Sequence, residues 1–291
     1  MRSEKEMLDL ILGVAERDER IRAVYMNGSR TNKNAPKDIF QDYDIVYVVT
    51  QTAPFIEDEK WIDIFGERMY MQCPDLMDSY IGQSVDFDSG FGWLIQFADG
   101  NRLDLHVLPV GKDNVKDDKL CVILLDKDGI LPEIPEATDE DYRIKKPDEK
   151  RFIATCNEFW WCLNNVAKGL WRGEMTYVLD MINFVVHPQL TKLINWKIGF
   201  ETDFSVSTGK SSKYAHKWLS DEVWERYLKT YPVADIEKCW ETVFEMCSLF
   251  NDVAHEISEK YGFIYNEKEA GESLRFLKHV HDLPKDAKEV Y

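Results

Sequence analysis

The chain has 291 residues, of which 44% are hydrophobic, and this length and apolar content indicate about two globular domains and exclude a disordered chain. Its formal net charge is −17, from 53 acidic and 36 basic residues. Such a field repels polyanions, which argues against a nucleic-acid partner and favours a small cationic ligand, although an acidic surface also serves solubility alone.

The N-terminal segment MRSEKEMLDLILGVAERDER has apolar residues at helical spacing, which predicts an amphipathic surface helix. It contains acids where a signal peptide would be apolar, and it lacks a small-residue cleavage site. No apolar run approaches the roughly 18 residues that a bilayer span requires. The six cysteines have no CxxC spacing and lie in hydrophobic surroundings, which is typical of buried free thiols in a reducing compartment. We therefore expect a cytoplasmic protein without membrane segments.

The first half of the chain alternates β-rich runs with short helical stretches, the pattern of a domain that contains a sheet. Asp99-Gly100 separates two of the runs, which predicts a hairpin between them. A helical stretch is predicted at 59–65. The predicted strands are 21–27, 43–50, 91–97, 102–110 and 120–125.

The second half of the chain is dominated by long helical patterns. A polar, proline-containing stretch at 127–149 has the composition of a linker. We therefore predict an α+β protein with one domain at 1–145, which contains a mixed sheet with helices, and an all-α domain at 146–291. The predicted helices of the second domain are 149–170, 174–198, 221–229, 234–261 and 271–280.

The tripeptide Gly28-Ser29-Arg30 directly follows the first predicted strand. A glycine at a strand end lets the backbone approach a ligand, and successive N–H groups there form a nest for an anion. Ser29 adds a hydroxyl and Arg30 a planar fork suited to phosphate oxygens. By itself, Gly-Ser after a strand is also an ordinary turn.

Asp42 and Asp44 lie two residues apart at the entrance to the second predicted strand. Residues at this spacing in a strand point to the same face, so the two carboxylates would project side by side. Such a pair is costly unless a cation neutralises it, and oxygen ligands on one face are what Mg²⁺ requires. The alternative is a solvated acidic loop ahead of the strand.

Asp104 and His106 share one face of the strand NRLDLHVLPV, because Leu103, Leu105 and Val107 alternate onto the other. A carboxylate inside a strand flanked by leucines is unusual. A site shared with the Asp-x-Asp pair of a neighbouring strand would explain its presence. Asp104 could then be a third metal ligand or accept a proton. His106 could tune Asp104 or contact substrate, or it could be a hydrogen-bonded structural histidine.

The order and spacing of these elements resemble the signature of the polymerase-β-like nucleotidyltransferase superfamily. Longer segments from both halves of the chain are similar to one family within it, the aminoglycoside 6-adenylyltransferases, which inactivate streptomycin. These segments are MRSEKEMLDL, DERIRAVYMNGSR, FQDYDIVYVV, LLDKDG, CNEFWWCLNNVAKGLWRGEM, LDMINFVVHPQL and NWKIGFETDF.

The resemblance implies a polymerase-β-like nucleotidyltransferase domain followed by a helical domain that binds substrate. It also implies transfer of AMP from ATP, with Mg²⁺, to the 6-hydroxyl of streptomycin, which confers antibiotic resistance. At the matching positions, Gly28, Ser29 and Arg30 would face the triphosphate. Asp42, Asp44 and Asp104 would be catalytic and hold the metal, with Asp104 as the expected base.

The acceptor of the transferred group is left open by the residues themselves. Glu158 and Asp180 lie within apolar helical patterns and could bind a cationic acceptor or simply face solvent. Lys210 could reach the nucleotide phosphates. A lincosamide or an endogenous metabolite could replace the aminoglycoside, and a catalytically silent nucleotidyltransferase-like binding protein is the alternative from another class. The sequence does not decide the oligomeric state.

Overall fold

The computed structural model describes all 291 residues. Contacts within the chain divide it into two compact units, Met1–Asp141 and Tyr142–Tyr291. The division lies four residues before the predicted boundary of 145 and 146.

The first unit is built on a six-stranded sheet with the order β3-β4-β5-β2-β1-β6. β2 and β5 pair in parallel and all other neighbours are antiparallel, so the sheet is mixed, as predicted. β4 and β5 form the predicted hairpin. The strands are β1 Ile21–Asn27, β2 Tyr43–Val49, β3 Arg68–Gln72, β4 Phe91–Phe97, β5 Arg102–Pro109 and β6 Cys121–Asp126.

The third strand is the one that the sequence analysis missed. β3 lies at the edge of the sheet and has no fully buried residue. Its segment therefore lacks the alternation of apolar and polar residues that marks a strand with one buried face.

Helix α1, Glu4–Arg17, covers the sheet with one face and thereby confirms the predicted amphipathic helix. It begins at a capping box in which Ser3 and Glu6 satisfy each other's backbone N–H groups. Two short helices, α2 Ala53–Ile56 and α3 Pro74–Tyr80, complete the unit. The stretch predicted as helical at 59–65 forms a 3₁₀ turn, Trp61–Phe65, whose aromatic residues are buried.

The second unit is all-helical, so the predicted α+β architecture is confirmed. Its helices enclose one large apolar core. None of the helices in the chain combines the length and apolar character that a bilayer span needs. The helices are α4 Glu149–Arg172, α5 Met175–Asp180, α6 His187–Glu201, α7 Asp221–Leu228, α8 Ile236–Tyr261 and α9 Glu267–Asp282.

The helix predicted at 174–198 is continuous but irregular. A π-helical stretch, Met181–Val186, joins α5 to α6 just ahead of Pro188. Proline has no N–H and clashes with the preceding turn, which favours a wider turn at this point. His187 is buried there, and its Nε2 lies 3.0 Å from Oγ1 of Thr230.

Candidate active site

Three carboxylates meet on the central strands of the first unit. In the parallel pairing of β2 and β5, Asp44 lies directly opposite Asp104, and Asp42 precedes β2 by one residue. One carboxylate oxygen from each of the three residues lies within 4.8 Å of the others. Carboxylates at this spacing can share a divalent cation. The structure thus brings together the three aspartates that the sequence singled out.

The environment of the cluster makes its negative charge costly. Asp104 is buried, with 8% of its surface exposed, and Asp44 is half-buried. Burial, together with the charges of Asp42 and Asp104, raises the pKa of Asp44 to about 7, although Arg102 and Arg30 oppose the shift. A bound cation would lower the pKa of Asp44 again, because a nearby positive charge favours the ionised form of the carboxyl group.

Gly28 makes room for this cluster. It directly follows β1 and has φ +77° and ψ −156°, a conformation open essentially only to glycine. A Cβ atom at this position would lie 2.0 Å from Oδ2 of Asp44. A glycine at this strand end predicts close approach of the backbone to a ligand, and the structure shows that Gly28 also provides the space for the Asp44 carboxylate.

Arg30 has contacts that the sequence did not predict. Its guanidinium donates from Nε to the carbonyl oxygen of Asp42 and from Nη2 to that of Gln41, both at 2.8 Å. It also lies 3.7 Å from the ring centroid of Tyr43, and its side chain is only 10% exposed. Arg30 therefore fixes the backbone that carries Asp42. Its contact with phosphate stays a prediction.

Arg102 is a site residue that the sequence analysis missed. It forms a bidentate pair with Asp104, with distances of 2.8 Å from Nε to Oδ1 and 2.6 Å from Nη2 to Oδ2. Its Nε also lies 3.9 Å from Oδ2 of Asp42. This arginine fixes the orientation of the Asp104 carboxylate and offsets part of the like-charge repulsion. The signal in the sequence was its position two residues before Asp104, on the same strand face.

Asn27 is a second residue that the sequence analysis missed. It pairs with Asp44 across β1 and β2, so the two side chains share a face of the sheet. Its Oδ1 is buried and has no hydrogen-bond partner. A buried acceptor without a hydrogen-bond partner is uncommon. This oxygen fits a metal site whose other candidate ligand atoms are carboxylate oxygens. The residues present therefore fit a Mg²⁺ ion.

His106 is half-buried on β5, where its ring lies against Gly92 of β4. A Cβ atom on Gly92 would lie 2.6 Å from the ring, so the glycine leaves the space that the imidazole fills. Burial lowers the pKa of His106, and the carboxylates of Asp75 and Asp104 oppose this effect. This packing gives His106 a structural role, and its contact with substrate stays a prediction.

The remaining predicted site residues belong to the helical unit. Glu158 and Asp180 are exposed, and Oε1 of Glu158 lies 3.5 Å from Sγ of Cys162. Lys210 is exposed and begins a 3₁₀ turn, Lys210–Ser212. Of the two adjacent tryptophans in α4, Trp160 is buried in the core, whereas Trp161 is 68% exposed one helical turn from Glu158.

A sequence model of the family described as streptomycin adenylyltransferase matches residues 1–280. The chain belongs to this family. An aminoglycoside 6-adenylyltransferase of Bacillus subtilis (strain 168) is 38% identical over 274 residues, covering 93% of this chain and 95% of the relative. An aminoglycoside 6-adenylyltransferase of Campylobacter jejuni is 40% identical over 274 residues, covering 92% of this chain and 93% of the relative. The crystal structure of an aminoglycoside 6-adenyltransferase from Bacillus subtilis is 33% identical in sequence and has a TM-score of 0.48. The match covers 97% of this chain and 100% of that structure's chain.

Membership of the streptomycin adenylyltransferase family confirms the predicted family and enzyme class. The match extends over both units, and the two curated relatives are covered almost completely. As a member of this family the chain is a nucleotidyltransferase. The Gly28 turn and the three-aspartate cluster lie within the matched region.

Proposed function

We propose that this streptomycin adenylyltransferase family member transfers AMP from ATP, with Mg²⁺, to a hydroxyl of a cationic aminoglycoside, the acceptor being the 6-hydroxyl of streptomycin. The observation that carries the proposal is the convergence of Asp42, Asp44 and Asp104 next to the Gly28 turn, in a chain of this family. The two relatives are aminoglycoside 6-adenylyltransferases, which supports the aminoglycoside acceptor.

Asp42, Asp44 and Asp104 are the residues that would hold the metal. When bound, Mg²⁺ supplies charge stabilisation for the phosphates of ATP. Arg30 holds the Asp42 backbone and Arg102 orients Asp104, so both arginines keep the carboxylates in position. This preorganisation matters because small displacements at a reacting centre reduce rate steeply.

The proposed reaction is an in-line displacement at the α-phosphorus of ATP. Asp104 accepts the proton of the acceptor hydroxyl while the hydroxyl oxygen attacks the α-phosphorus. A bond forms between that oxygen and the α-phosphorus, the bond from the α-phosphorus to the bridging oxygen breaks, and pyrophosphate leaves. The Thr31 N–H donates to the carbonyl oxygen of Gly28, which leaves the backbone N–H groups of Ser29 and Arg30 suited to bind the phosphate oxygens of the departing group. Ser29 can add its hydroxyl as a further donor.

The acceptor is proposed to bind the helical unit through charge and stacking. Glu158 and Asp180 present exposed carboxylates, which form strong bidentate pairs with guanidinium groups such as those of streptomycin. Trp161 presents an exposed ring on the same helix as Glu158, and aromatic faces attract cations. A net charge of −17 adds a favourable long-range field.

We expect incubation with ATP, Mg²⁺ and streptomycin to yield a streptomycin–AMP ester and pyrophosphate in equal amounts. Mass spectrometry of the acceptor and an enzymatic pyrophosphate assay measure the two products. Other aminoglycosides and a lincosamide serve as competing acceptors in the same screen. A phosphorylated acceptor with release of ADP would contradict the proposed leaving group. Mass gain only on a lincosamide would retain AMP transfer and overturn the aminoglycoside acceptor.

Glu158→Gln and Asp180→Asn are expected to raise the KM for streptomycin by about tenfold or more each, with little change in the KM for ATP. The reason is that each variant removes one charge-assisted contact with the acceptor, and such contacts are worth roughly 1.5–3 kcal/mol. Steady-state kinetics with each substrate varied in turn measures the effect. Glu259→Gln, which neutralises another exposed acid of the helical unit, is the control. Equal KM values for streptomycin in all three variants would exclude these two acids from acceptor binding.

A further inference from the structure

The helical unit contains a cavity of about 230 Å³ whose walls are formed by α4, α9 and the segment 283–291. This segment is attached to both helices. Nε1 of Trp171 in α4 donates to the carbonyl oxygen of Leu283 at 3.1 Å, and Nε2 of His279 in α9 donates to the carbonyl oxygen of Val290. The residues of the segment that line the cavity lie between these two attachments along the chain, so the attachments keep this wall in place.

Most of the cavity wall is apolar. The indole N–H of Trp171 is already bonded to Leu283, which leaves its ring as apolar surface, and Phe276 contributes a second ring. Such a wall favours a ligand whose body is apolar, because binding removes apolar surface of both partners from water. The apolar lining residues are Trp171, Phe276, Val280, Leu283, Ala287 and Val290.

The charged residues of the cavity wall are mainly cationic. Lys168, Arg172 and Lys288 line the cavity together with a single acid, Glu289. Lys168 and Lys288 are exposed and form no ion pair with a carboxylate of the protein, whereas Nη1 of Arg172 lies 3.8 Å from Oε2 of Glu174. In a chain with a net charge of −17, an excess of cations around an apolar cavity indicates a ligand with an anionic group.

The volume of the cavity limits the ligand to about one ring. An engineered protein cavity of about 150 Å³ binds benzene, whereas drug-sized ligands occupy pockets of about 300–1,000 Å³. At about 230 Å³, this cavity has room for one aromatic ring with a short side chain and is too small for a nucleotide or an aminoglycoside.

Half of the cavity wall lies outside the region that matches the streptomycin adenylyltransferase family. The family match ends at residue 280, and the lining residues contributed by the segment 283–291 follow that point. Family membership therefore assigns no role to this cavity.

We propose that this cavity binds a small aromatic carboxylate, with its ring against Trp171 and Phe276 and its carboxylate paired with Lys168 and Lys288. Aromatic rings attract one another beyond the effect of the apolar area that they bury. A carboxylate accepts charge-assisted hydrogen bonds from lysine ammonium groups. The proposal concerns binding alone and does not depend on the proposed adenylyl transfer.

The test is a ligand-observed NMR titration of the full chain with 3-phenylpropionate and with its neutral amide, 3-phenylpropionamide. We expect the carboxylate to bind about tenfold more tightly than the amide, since only the carboxylate can form ion pairs with the lysines. Lys168→Gln/Lys288→Gln should weaken binding of the carboxylate by about tenfold and leave binding of the amide unchanged. The control is Lys238→Gln/Lys268→Gln, which removes two exposed charges that do not line the cavity and should bind both probes like the wild type.

Two further measurements locate the bound probe. Ala287→Phe places a ring in the cavity and should abolish binding of both probes, and its Tm shows whether the variant is folded. Excess ATP and streptomycin should leave binding of 3-phenylpropionate unchanged. Absence of binding by the wild type, equal binding of carboxylate and amide, equal binding by the two lysine variants, or displacement by ATP or streptomycin would each overturn the proposal. Because these are binding measurements, they stand even if the protein shows no transferase activity.

Discussion

Replacing Asp42 or Asp44 with asparagine is expected to reduce kcat by about a thousandfold or more while the protein remains folded. Each variant removes a carboxylate from the proposed metal site, and a metal provides several kcal/mol of charge stabilisation in such reactions. The cluster spans 4.8 Å, so neither aspartate has a nearby substitute for its oxygen. Adenylyl transfer to streptomycin at saturating substrates measures the loss.

The same substitution at Asp44 is expected to stabilise the protein when metal is removed. The pKa of Asp44 rises from its ordinary value of 3.8 to about 7 in the folded state. The folded state therefore binds the proton more tightly than the unfolded state, and stability falls as pH rises from about 4 to 7. Asparagine removes this loss, which is at most roughly 4 kcal/mol. In EDTA, the Tm of Asp44→Asn should exceed the wild-type Tm at pH 8 and match it at pH 4.

Added Mg²⁺ distinguishes metal binding from a purely structural effect of these substitutions. Mg²⁺ should raise the wild-type Tm, because a ligand that binds only the folded state stabilises it, and it should have a smaller effect on Asp44→Asn. Asp88→Asn, at an exposed acid outside the cluster, should behave like the wild type. Full activity of Asp42→Asn or Asp44→Asn, or wild-type activity in excess EDTA, would exclude the metal assignment.

Replacing Gly28 with alanine is expected to reduce activity by at least about a hundredfold and to lower the Tm. The new Cβ would lie 2.0 Å from Oδ2 of Asp44, so the carboxylate must move away from its partners. The backbone conformation, with φ +77° and ψ −156°, adds a cost of about 1–3 kcal/mol for a residue with a side chain. A displacement of about 1 Å at a reacting centre is enough for a loss of this size.

Two comparisons separate the clash at Gly28 from the general cost of its backbone conformation. Gly82→Ala is the matched control, because Gly82 has φ +84° and a Cβ added there would have no heavy atom within 4 Å. The double variant Gly28→Ala/Asp44→Ala should be less destabilised than the sum of the two single variants, since shortening Asp44 relieves the clash. Additive Tm changes would show that Gly28 and Asp44 do not interact as the geometry indicates.

Much of the architecture follows from local patterns in the sequence. Short β-rich runs predicted β1, β2, β4, β5 and β6, and helical periodicity predicted the long helices, because both patterns depend only on neighbours along the chain. The spacing of Asp42 and Asp44 likewise placed two carboxylates together, since a strand fixes which residues share a face.

The relation between distant segments was decided only by the tertiary structure. Asp104 reaches Asp44 because β2 and β5 pair in parallel in one register, and strand register between segments about 60 residues apart is set by packing across the whole sheet. The bidentate contact of Arg102, the burial of Arg30 against the Asp42 backbone and the missed edge strand β3 have the same origin. Side-chain type and local spacing thus determined which groups were available for chemistry, and folding determined which of them meet, because contacts between distant residues have no signature in local periodicity.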